Sequence, residues 1–210
     1  MAPRVVIFDL GKVLVDFDYT RASSRIAARG NVSREAVRKF IDHSPLLVRY
    51  ESGQMTTAQF FGEVAAATGF GGTAEEFAEF FADIFIPIPE MVELHAAVRR
   101  KGIPTFILSN TNELATGHIR RSFPFFSDFD GYVLSYQVGA IKPAEKIYRA
   151  AEEMAGKSGA ELLFIDDLPA NIAAAAARGW QVILQESPEK TRAQIAKLGL
   201  LQPAPSSGAV

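Results

Sequence analysis

An apolar run near the start of the chain is interrupted by a single carboxylate, Asp9, and then by Gly11. Residues 5–8 are all β-branched or aromatic, which is typical of a strand buried on both faces. A carboxylate at the end of such a strand is costly unless it is paired, and glycine permits a sharp turn or the close approach of a ligand. Because ligands bind outside the carboxyl ends of parallel strands, Asp9 is a candidate functional residue. The alternative is an aspartate that only caps the turn after the strand.

Short apolar segments alternate with helical patterns through the second half of the chain. The sequence predicts strands at 103–108, 132–135, 162–165 and 180–184, and helices at 90–101, 113–122, 144–155, 171–178 and 191–198. Strands that alternate with helices form a parallel sheet with right-handed crossovers. The predicted fold class is therefore α/β, with a three-layer, Rossmann-like core.

A helical stretch separates the first predicted strand from this alternating pattern. We interpret residues 19–86 as an inserted α-helical cap on a core formed by residues 1–18 and 87–200, and residues 201–210 as a disordered tail. Aromatic residues at helical spacing predict the core of this cap, although one or two of them could face a substrate instead. They are Phe60, Phe61, Phe77, Phe80 and Phe81.

Composition excludes several classes of protein. The 210 residues carry a formal net charge of -2, so no basic field indicates nucleic acid or an anionic membrane as a partner. The absence of cysteine excludes disulfides, thiol nucleophiles and thiolate metal sites, and it fits a reducing compartment. The sequence has no signal-peptide pattern and no apolar stretch long enough to span a membrane. We expect a cytoplasmic protein, and its oligomeric state is open.

Polar residues follow three of the predicted strands, as Asp9, Ser109-Asn110 and Asp166-Asp167. A parallel sheet would bring these strand ends together, and converging carboxylates have raised pKa values unless a cation is present. An all-oxygen site favours Mg²⁺ over zinc or a soft metal. Ser109 and Asn110 add hydroxyl and amide donors, and Lys142 adds a positive charge. This set of groups suits phosphoryl transfer, which depends on positioning and charge neutralisation.

Four segments in order resemble the motifs of the haloacid dehalogenase superfamily of hydrolases. They are residues 8–13 (FDLGKV), 107–110 (ILSN), 142–143 (KP) and 164–172 (FIDDLPANI). The resemblance spans about residues 4–185 and implies a helical cap between the first two motifs. Asp-Leu-Gly at residues 9–11 and Ser-Asn-Thr-Asn at 109–112 are similar to bacterial sugar-phosphate phosphatases of the α-glucose-1-phosphate phosphatase type.

The resemblance also implies a role for each matching residue. Asp9 would attack phosphorus and form an aspartyl-phosphate, and Lys142 would neutralise charge on Asp9 and on the phosphoryl oxygens. Ser109 and the backbone of Asn110 would bind the phosphoryl group. The implied Mg²⁺ ligands are Asp9, the carbonyl of Gly11, Asp167 and, directly or through water, Asp166.

Gly11 departs from the pattern of the resembled family. Most phosphatases of that family have a second aspartate here, which protonates the leaving group and then activates water. We expect a Mg²⁺-dependent phosphatase of a small phosphorylated metabolite, such as a sugar phosphate, in which another group moves the proton or good leaving groups are preferred. The alternatives are a 2-haloacid dehalogenase-like hydrolase and a catalytically impaired phosphoryl-binding or interaction protein.

The remaining polar candidates have less specific interpretations. His95 and His118 lie in predicted helices, where we expect them on the surface or in contact with the cap. Three polar residues of the cap could contact a sugar hydroxyl, although isolated charges in a cap are more often solvated. They are His43, Arg49 and Glu51. Asp16 and Asp18 lie near the junction of core and cap, where a turn role is favoured over substrate contact. Asn171 is expected to cap the helix after the fourth motif.

Overall fold

The centre of the molecule is a five-stranded parallel sheet. The computed structural model describes residues 2–42 and 44–201. The strands of the sheet are β1 (Val5–Phe8), β4 (Thr105–Ser109), β5 (Gly131–Leu134), β6 (Leu162–Asp166) and β7 (Gln181–Leu184). Their order is β5-β4-β1-β6-β7, and every pair of neighbours is parallel. This sheet confirms the predicted α/β class, with β1 at its centre.

Helices cover both faces of the sheet and also form the long segment after the first strand. In that segment they are α1 (Tyr19–Ala27), α2 (Arg34–Ile41), α3 (Pro45–Glu51), α4 (Thr57–Thr68) and α5 (Ala74–Ala82). The helices that accompany the sheet are α6 (Pro89–Arg100), α7 (Glu113–Ser122), α8 (Ser135–Val138), α9 (Glu145–Ala155), α10 (Pro169–Ala177) and α11 (Pro188–Lys197). Two short 3₁₀ turns span Pro124–Asp128 and Gly159–Glu161. Within the described residues, no helix combines the length and apolar character needed to cross a membrane.

The alternation of side chains along β1 explains the three layers. Val6 and Phe8 pack into one buried cluster, and Val5 and Ile7 pack into another on the opposite face. All four side chains are almost completely inaccessible to solvent. A strand buried on both faces must be apolar throughout, which is the pattern that the sequence shows.

The helices α1–α5 share a third apolar cluster that is rich in aromatic rings. Tyr50 stacks on Phe60 with ring centroids 4.4 Å apart, and Phe60 meets Phe81 edge to face at 5.0 Å. Phe77 is buried in the same cluster, while Phe61 and Phe80 pack on it and remain partly exposed. The predicted aromatic packing is therefore present. The division of the chain into core, cap and tail at residues 18, 86 and 200 stays a prediction, and residues 202–210 lie outside the described part.

A two-stranded antiparallel ribbon joins the helical segment to the sheet, and the sequence did not predict it. Strand β2 (Val15–Phe17) pairs with β3 (Phe85–Pro87), with Asp16 opposite Ile86. Asp16, at the expected junction of core and cap, is thus part of a strand, and the last helix of the segment ends at Ala82, before β3 begins. Pairing between segments about 70 residues apart leaves no local periodicity to detect.

His95 lies in the core, which corrects its expected place on the surface or against the cap. Only 1% of its surface is exposed, its ring stacks on Phe129 at 3.9 Å, and Nε2 lies 3.0 Å from Thr105 Oγ1. Arg99 donates to the same hydroxyl oxygen, so the hydroxyl proton is free to bond to the imidazole. Burial, with the charge of Arg99, lowers the pKa of His95 to about 4.

We predict that His95 makes the protein less stable as the pH falls from about 6.5 to 4. The unfolded chain takes up a proton on this imidazole near the ordinary histidine pKa of 6.5, whereas the folded chain resists protonation until about 4. The unfolded state therefore binds more protons in this range, and stability rises with pH. The loss of unfolding free energy from pH 7 to pH 5 should be about 1–2 kcal/mol smaller in His95→Gln than in the parent.

Urea unfolding at the two pH values measures this difference. His118→Gln, at a more exposed histidine, is the control and should retain most of the parent's pH dependence. An equal pH dependence in His95→Gln and the parent would contradict the assignment of a neutral, buried imidazole.

Candidate active site

Three carboxylates meet at the carboxyl end of the sheet, as the sequence predicted. Asp9 directly follows β1, Asp166 ends β6, and Asp167 comes next. One carboxylate oxygen from each lies within 4.8 Å of the others. The strands β1 and β6 are neighbours in register, with Phe8 opposite Ile165, so their ends reach the same point. The convergence is thus a direct result of the parallel pairing.

Lys142 lies between two of these carboxylates. Its Nζ atom is 2.8 Å from Asp9 Oδ1 and 2.7 Å from Asp166 Oδ2, and it donates to the carbonyl of Leu108 at 2.9 Å. All three ammonium protons are used, and only 3% of the residue is exposed. Burial alone would lower the pKa of Lys142, but the two carboxylates outweigh burial and raise it. Lys142 is therefore a fixed positive charge.

The side chain of Asn110 holds the Lys142 backbone. Its amide nitrogen donates to the Lys142 carbonyl at 3.1 Å, and its amide oxygen accepts the Lys142 backbone N–H at 2.7 Å. Ser109 is 2% exposed and lines a small recess beside the strand ends together with Asn110. The side chain of Asn110 is thus occupied. Its backbone N–H and the Ser109 hydroxyl, which makes only a long bond of 3.4 Å to the Asn110 carbonyl, are the groups left for an anion.

Asn171 is a part of the site whose role the sequence did not reveal. Helix α10 begins at Pro169, so Asn171 does not cap it. Its amide donates to both oxygens of Asp166, at 3.0 and 3.1 Å, and the Leu168 N–H adds a third bond at 2.8 Å. With Lys142, all four lone-pair positions of Asp166 are filled. The spacing of five residues between Asp166 and Asn171 could have indicated this contact, because the first turn of α10 brings the Asn171 amide back to the end of β6.

Asp9 has one oxygen that is held and one that is open. Oδ1 lies 2.8 Å from Lys142 Nζ and accepts the Leu10 N–H at 2.7 Å, and no donor in the described chain segments bonds to Oδ2. Burial raises the pKa of Asp9; Lys142 opposes this effect and Asp166 adds to it. Burial and Asp166 also raise the pKa of Asp167. These two shifts agree with the expected mutual repulsion of the carboxylates.

Asp9 lines a cavity of about 650 Å³ between the strand ends and the helical segment. From the strand ends the lining includes Asp9, Gly11, Asn110, Lys142, Asp167 and Asn171, and from the helical segment it includes Tyr19, Arg38, Asp42 and Glu51. Asp16 and Asp18 also line the cavity, where Asp16 pairs with Lys12 and Asp18 caps α1 by accepting the Thr20 N–H. Asp18 thus has a local capping role, whereas Asp16 lies in strand β2 and not in the expected turn.

Of the cap residues proposed from sequence, Glu51 alone among those described lines this cavity. Arg49 pairs with Glu63 at 3.3 Å on the outside of the helical segment, as expected for a solvated charge. His43 lies outside the described residues.

Phe17 fills the space beside Gly11. A Cβ atom at Gly11 would lie 2.9 Å from Cε1 of the Phe17 ring, closer than ordinary contacts allow. The φ angle of Gly11 is not in the left-handed region, so the backbone itself would accept another residue. A side chain at this position would therefore require the Phe17 ring to move, whereas the backbone itself is not an obstacle.

Comparison with known proteins identifies the family. The model of the haloacid dehalogenase-like hydrolases matches residues 3–179, so the chain belongs to this family of hydrolases.

Individual relatives are more distant. D-ribitol-5-phosphate phosphatase of Bacteroides thetaiotaomicron is 24% identical over 173 residues, which cover 80% of this chain and 84% of the relative. Acyl-CoA dehydrogenase family member 10 of Mus musculus is 29% identical over 197 residues, 89% of this chain, but the chain spans only 18% of that relative. The crystal structure of the Bacteroides thetaiotaomicron HAD family enzyme bt-2542, with magnesium and inorganic phosphate, has a TM-score of 0.76 and 25% identity, and the match covers 87% of this chain and 93% of that one.

We predict that Lys142→Met destabilises the protein, and more so at high pH. Removing one partner of a buried charge cluster costs about 3–5 kcal/mol. Burial already raises the pKa of Asp9, and without the ammonium, which opposes this effect, it rises further above the value in the unfolded chain. The folded state then binds more protons than the unfolded state, and stability falls as pH rises.

Urea unfolding in EDTA at pH 5 and pH 8 tests this expectation. The control is Lys146→Met, at an exposed lysine four residues along the chain. A loss that is the same at both pH values would show that Asp9 does not depend on Lys142 for its charge.

Proposed function

We propose that the protein is a Mg²⁺-dependent phosphatase that hydrolyses a small phosphorylated metabolite, such as a sugar phosphate, through an aspartyl-phosphate on Asp9. The observation that carries this proposal is the asymmetry of Asp9. Oδ1 is oriented by Lys142 and Leu10, whereas Oδ2 bonds to no donor among the described residues, and Asp9 lines a cavity large enough for a small metabolite. The phosphatase relative and the phosphate-bound neighbour support the same reaction class.

The reaction has two steps, both at phosphorus. Oδ2 of Asp9 forms a bond to phosphorus while the bond from phosphorus to the ester oxygen breaks, and that oxygen leaves as the alcohol after taking up a proton. Water then attacks phosphorus, loses a proton, and releases inorganic phosphate and the Asp9 carboxylate. Ser109 Oγ and the Asn110 N–H donate to phosphoryl oxygens. Lys142 keeps Asp9 ionised and oriented, and its charge favours the phosphoryl group through space because its protons are already used.

The site fits Mg²⁺ on the chemistry of its donors. Three carboxylates face one ammonium, and in the described structure the Gly11 carbonyl accepts no hydrogen bond. We assign the ion to Asp9, the Gly11 carbonyl and Asp167, with Asp166 contributing charge because its lone pairs already accept hydrogen bonds. Bound Mg²⁺ supplies positive charge that offsets the charge of the phosphoryl group.

The two alternatives differ from this proposal in measurable ways. A 2-haloacid dehalogenase would release halide from a 2-haloacid in the presence of EDTA, but the Asp166-Asp167 pair favours a metal site. A phosphoryl-binding protein without catalysis would turn over no phosphate ester, while beryllofluoride with Mg²⁺ would still raise its melting temperature.

Asp9→Asn should abolish turnover and leave the fold intact. The amide is nearly isosteric with the carboxylate but is a poor nucleophile, so kcat for p-nitrophenyl phosphate should fall at least about 10³-fold. Asp128→Asn, at an exposed aspartate near the opposite edge of the sheet, is the control. Wild-type activity in a folded Asp9→Asn protein would show that no covalent intermediate forms on this residue.

EDTA should remove most of the hydrolysis of p-nitrophenyl phosphate, and added Mg²⁺ should restore it. Mg²⁺ should also raise the melting temperature of the parent, because it binds the folded state, and this shift should shrink in Asp167→Asn. The Asp128→Asn control should keep the parent's shift. Activity that persists unchanged after chelation would exclude the proposed metal role.

A further inference from the structure

Cleavage of an unactivated phosphate ester requires a proton for the leaving oxygen, and the core offers no side chain for it at Gly11. The edge of the Phe17 ring lies against this position, 2.9 Å from where a Cβ atom would be. Lys142 has no spare proton to donate, since its three N–H groups bond to Asp9, Asp166 and Leu108. A proton donor could instead come from the helical segment, which forms the other wall of the cavity.

Glu51 is the carboxyl group of the helical segment that lines both of the spaces beside Asp9 and Gly11. It is the last residue of α3 and lines the main cavity together with Asp9 and Lys142. It also lines the adjoining recess that contains Gly11, Ser109 and Asn110. A group that borders both spaces faces the region between the nucleophile and the phosphate-binding residues.

Contacts on both sides of Glu51 hold it against the core. The Tyr50 hydroxyl bonds to Thr57 Oγ1 at 2.7 Å and accepts the Leu114 N–H at 3.4 Å, and Thr57 in turn donates to Glu113. The turn after α3 touches the core directly, because a Cβ atom at Gly53 would lie 2.2 Å from the Tyr136 carbonyl oxygen. Glu51 is therefore positioned by packing and not by a flexible loop.

The surroundings of Glu51 allow both protonation states. Burial raises its pKa to about 7, a hydrogen bond with Asn112 favours the ionised form, Asp9 opposes ionisation and Lys142 favours it. Tyr19 of α1 also faces the carboxyl group. Other charged groups that line the cavity are Lys12, Asp16, Asp18, Arg38, Asp42 and Asp167. A pKa near the working pH suits a residue that must act first as an acid and then as a base.

We propose that Glu51 is the catalytic acid and base of this enzyme, supplied by the helical segment in place of a side chain at position 11. The proposal rests on the phosphatase function proposed above. As the Asp9–phosphorus bond forms, the protonated Glu51 gives its proton to the leaving oxygen, which departs as the neutral alcohol. The resulting Glu51 carboxylate then takes a proton from the water that attacks phosphorus, which regenerates the acid and the free Asp9 carboxylate.

Glu51→Gln tests the proposal with two esters of similar shape, phenyl phosphate and p-nitrophenyl phosphate. Phenolate is the poorer leaving group, so its departure depends more on a proton donor. We expect kcat/KM to fall about 10²-fold for phenyl phosphate and less than about 10-fold for p-nitrophenyl phosphate. The ratio of the two values within one preparation does not depend on the folded fraction. Glu63→Gln, at an exposed glutamate of the same helical segment, is the control and should keep the parent's ratio.

Two further measurements separate proton transfer from a structural role. For the parent, kcat/KM for phenyl phosphate should decrease on the alkaline side as Glu51 loses its proton, and Glu51→Gln should lack this decrease. With p-nitrophenyl phosphate, Glu51→Gln should release a burst of p-nitrophenolate approaching one equivalent per site, because water attack becomes slow.

The outcomes also distinguish failure of this proposal from failure of the proposed function. An unchanged ratio, an equal loss for both esters or a retained alkaline decrease would overturn the role of Glu51, while inactive Asp9→Asn would leave the phosphatase mechanism standing. Absence of turnover of both esters by the parent would overturn the proposed function, and the role of Glu51 with it.

Discussion

The ammonium group of Lys142 is the interaction on which the site depends. It lies between the carboxylates at the ends of two neighbouring strands and also bonds to the Leu108 carbonyl of β4. Three adjacent strands, β4, β1 and β6, are therefore linked through one buried nitrogen atom. Asn110, which follows β4, fixes the backbone of Lys142 through two hydrogen bonds. The strand ends therefore hold in place the ammonium group that offsets the cost of burying their carboxylates.

The single positive charge of Lys142 does not neutralise three carboxylates, and the three carboxylates differ in the hydrogen bonds that they accept. Asp166 is enclosed by four hydrogen bonds and serves mainly to hold Lys142. Asp9 and Asp167 have raised pKa values, and no donor from the described residues bonds to the second oxygen of Asp9. The hydrogen bonds thus distinguish three residues with the same side chain, and the roles proposed for them as nucleophile, metal ligand and structural anchor follow this difference.

Local sequence pattern predicted the parts of the site that depend on the sheet. The strand ends at Asp9, Ser109 and Asp166 could be located because parallel strands of buried apolar residues converge at one edge. What depends on long-range contact could not be predicted: Asn171 returning to Asp166, His95 buried under Phe129, and the pairing of β2 with β3. Phe17 beside Gly11 belongs to the same class, because only folding places the ring there. The domain boundaries and the cytoplasmic location stay predictions.

The β2–β3 ribbon has a consequence for how the helical segment varies. The chain leaves the sheet through β2 and returns through β3, and Val15 lies opposite Pro87. The ends of a long insertion are therefore held side by side, and its loop-closure entropy changes only slowly with its length. Helices can be lengthened, shortened or exchanged beyond the ribbon without altering the register of the sheet. The architecture thus allows the cavity wall formed by the helical segment to diverge while the carboxylates at the strand ends stay in place.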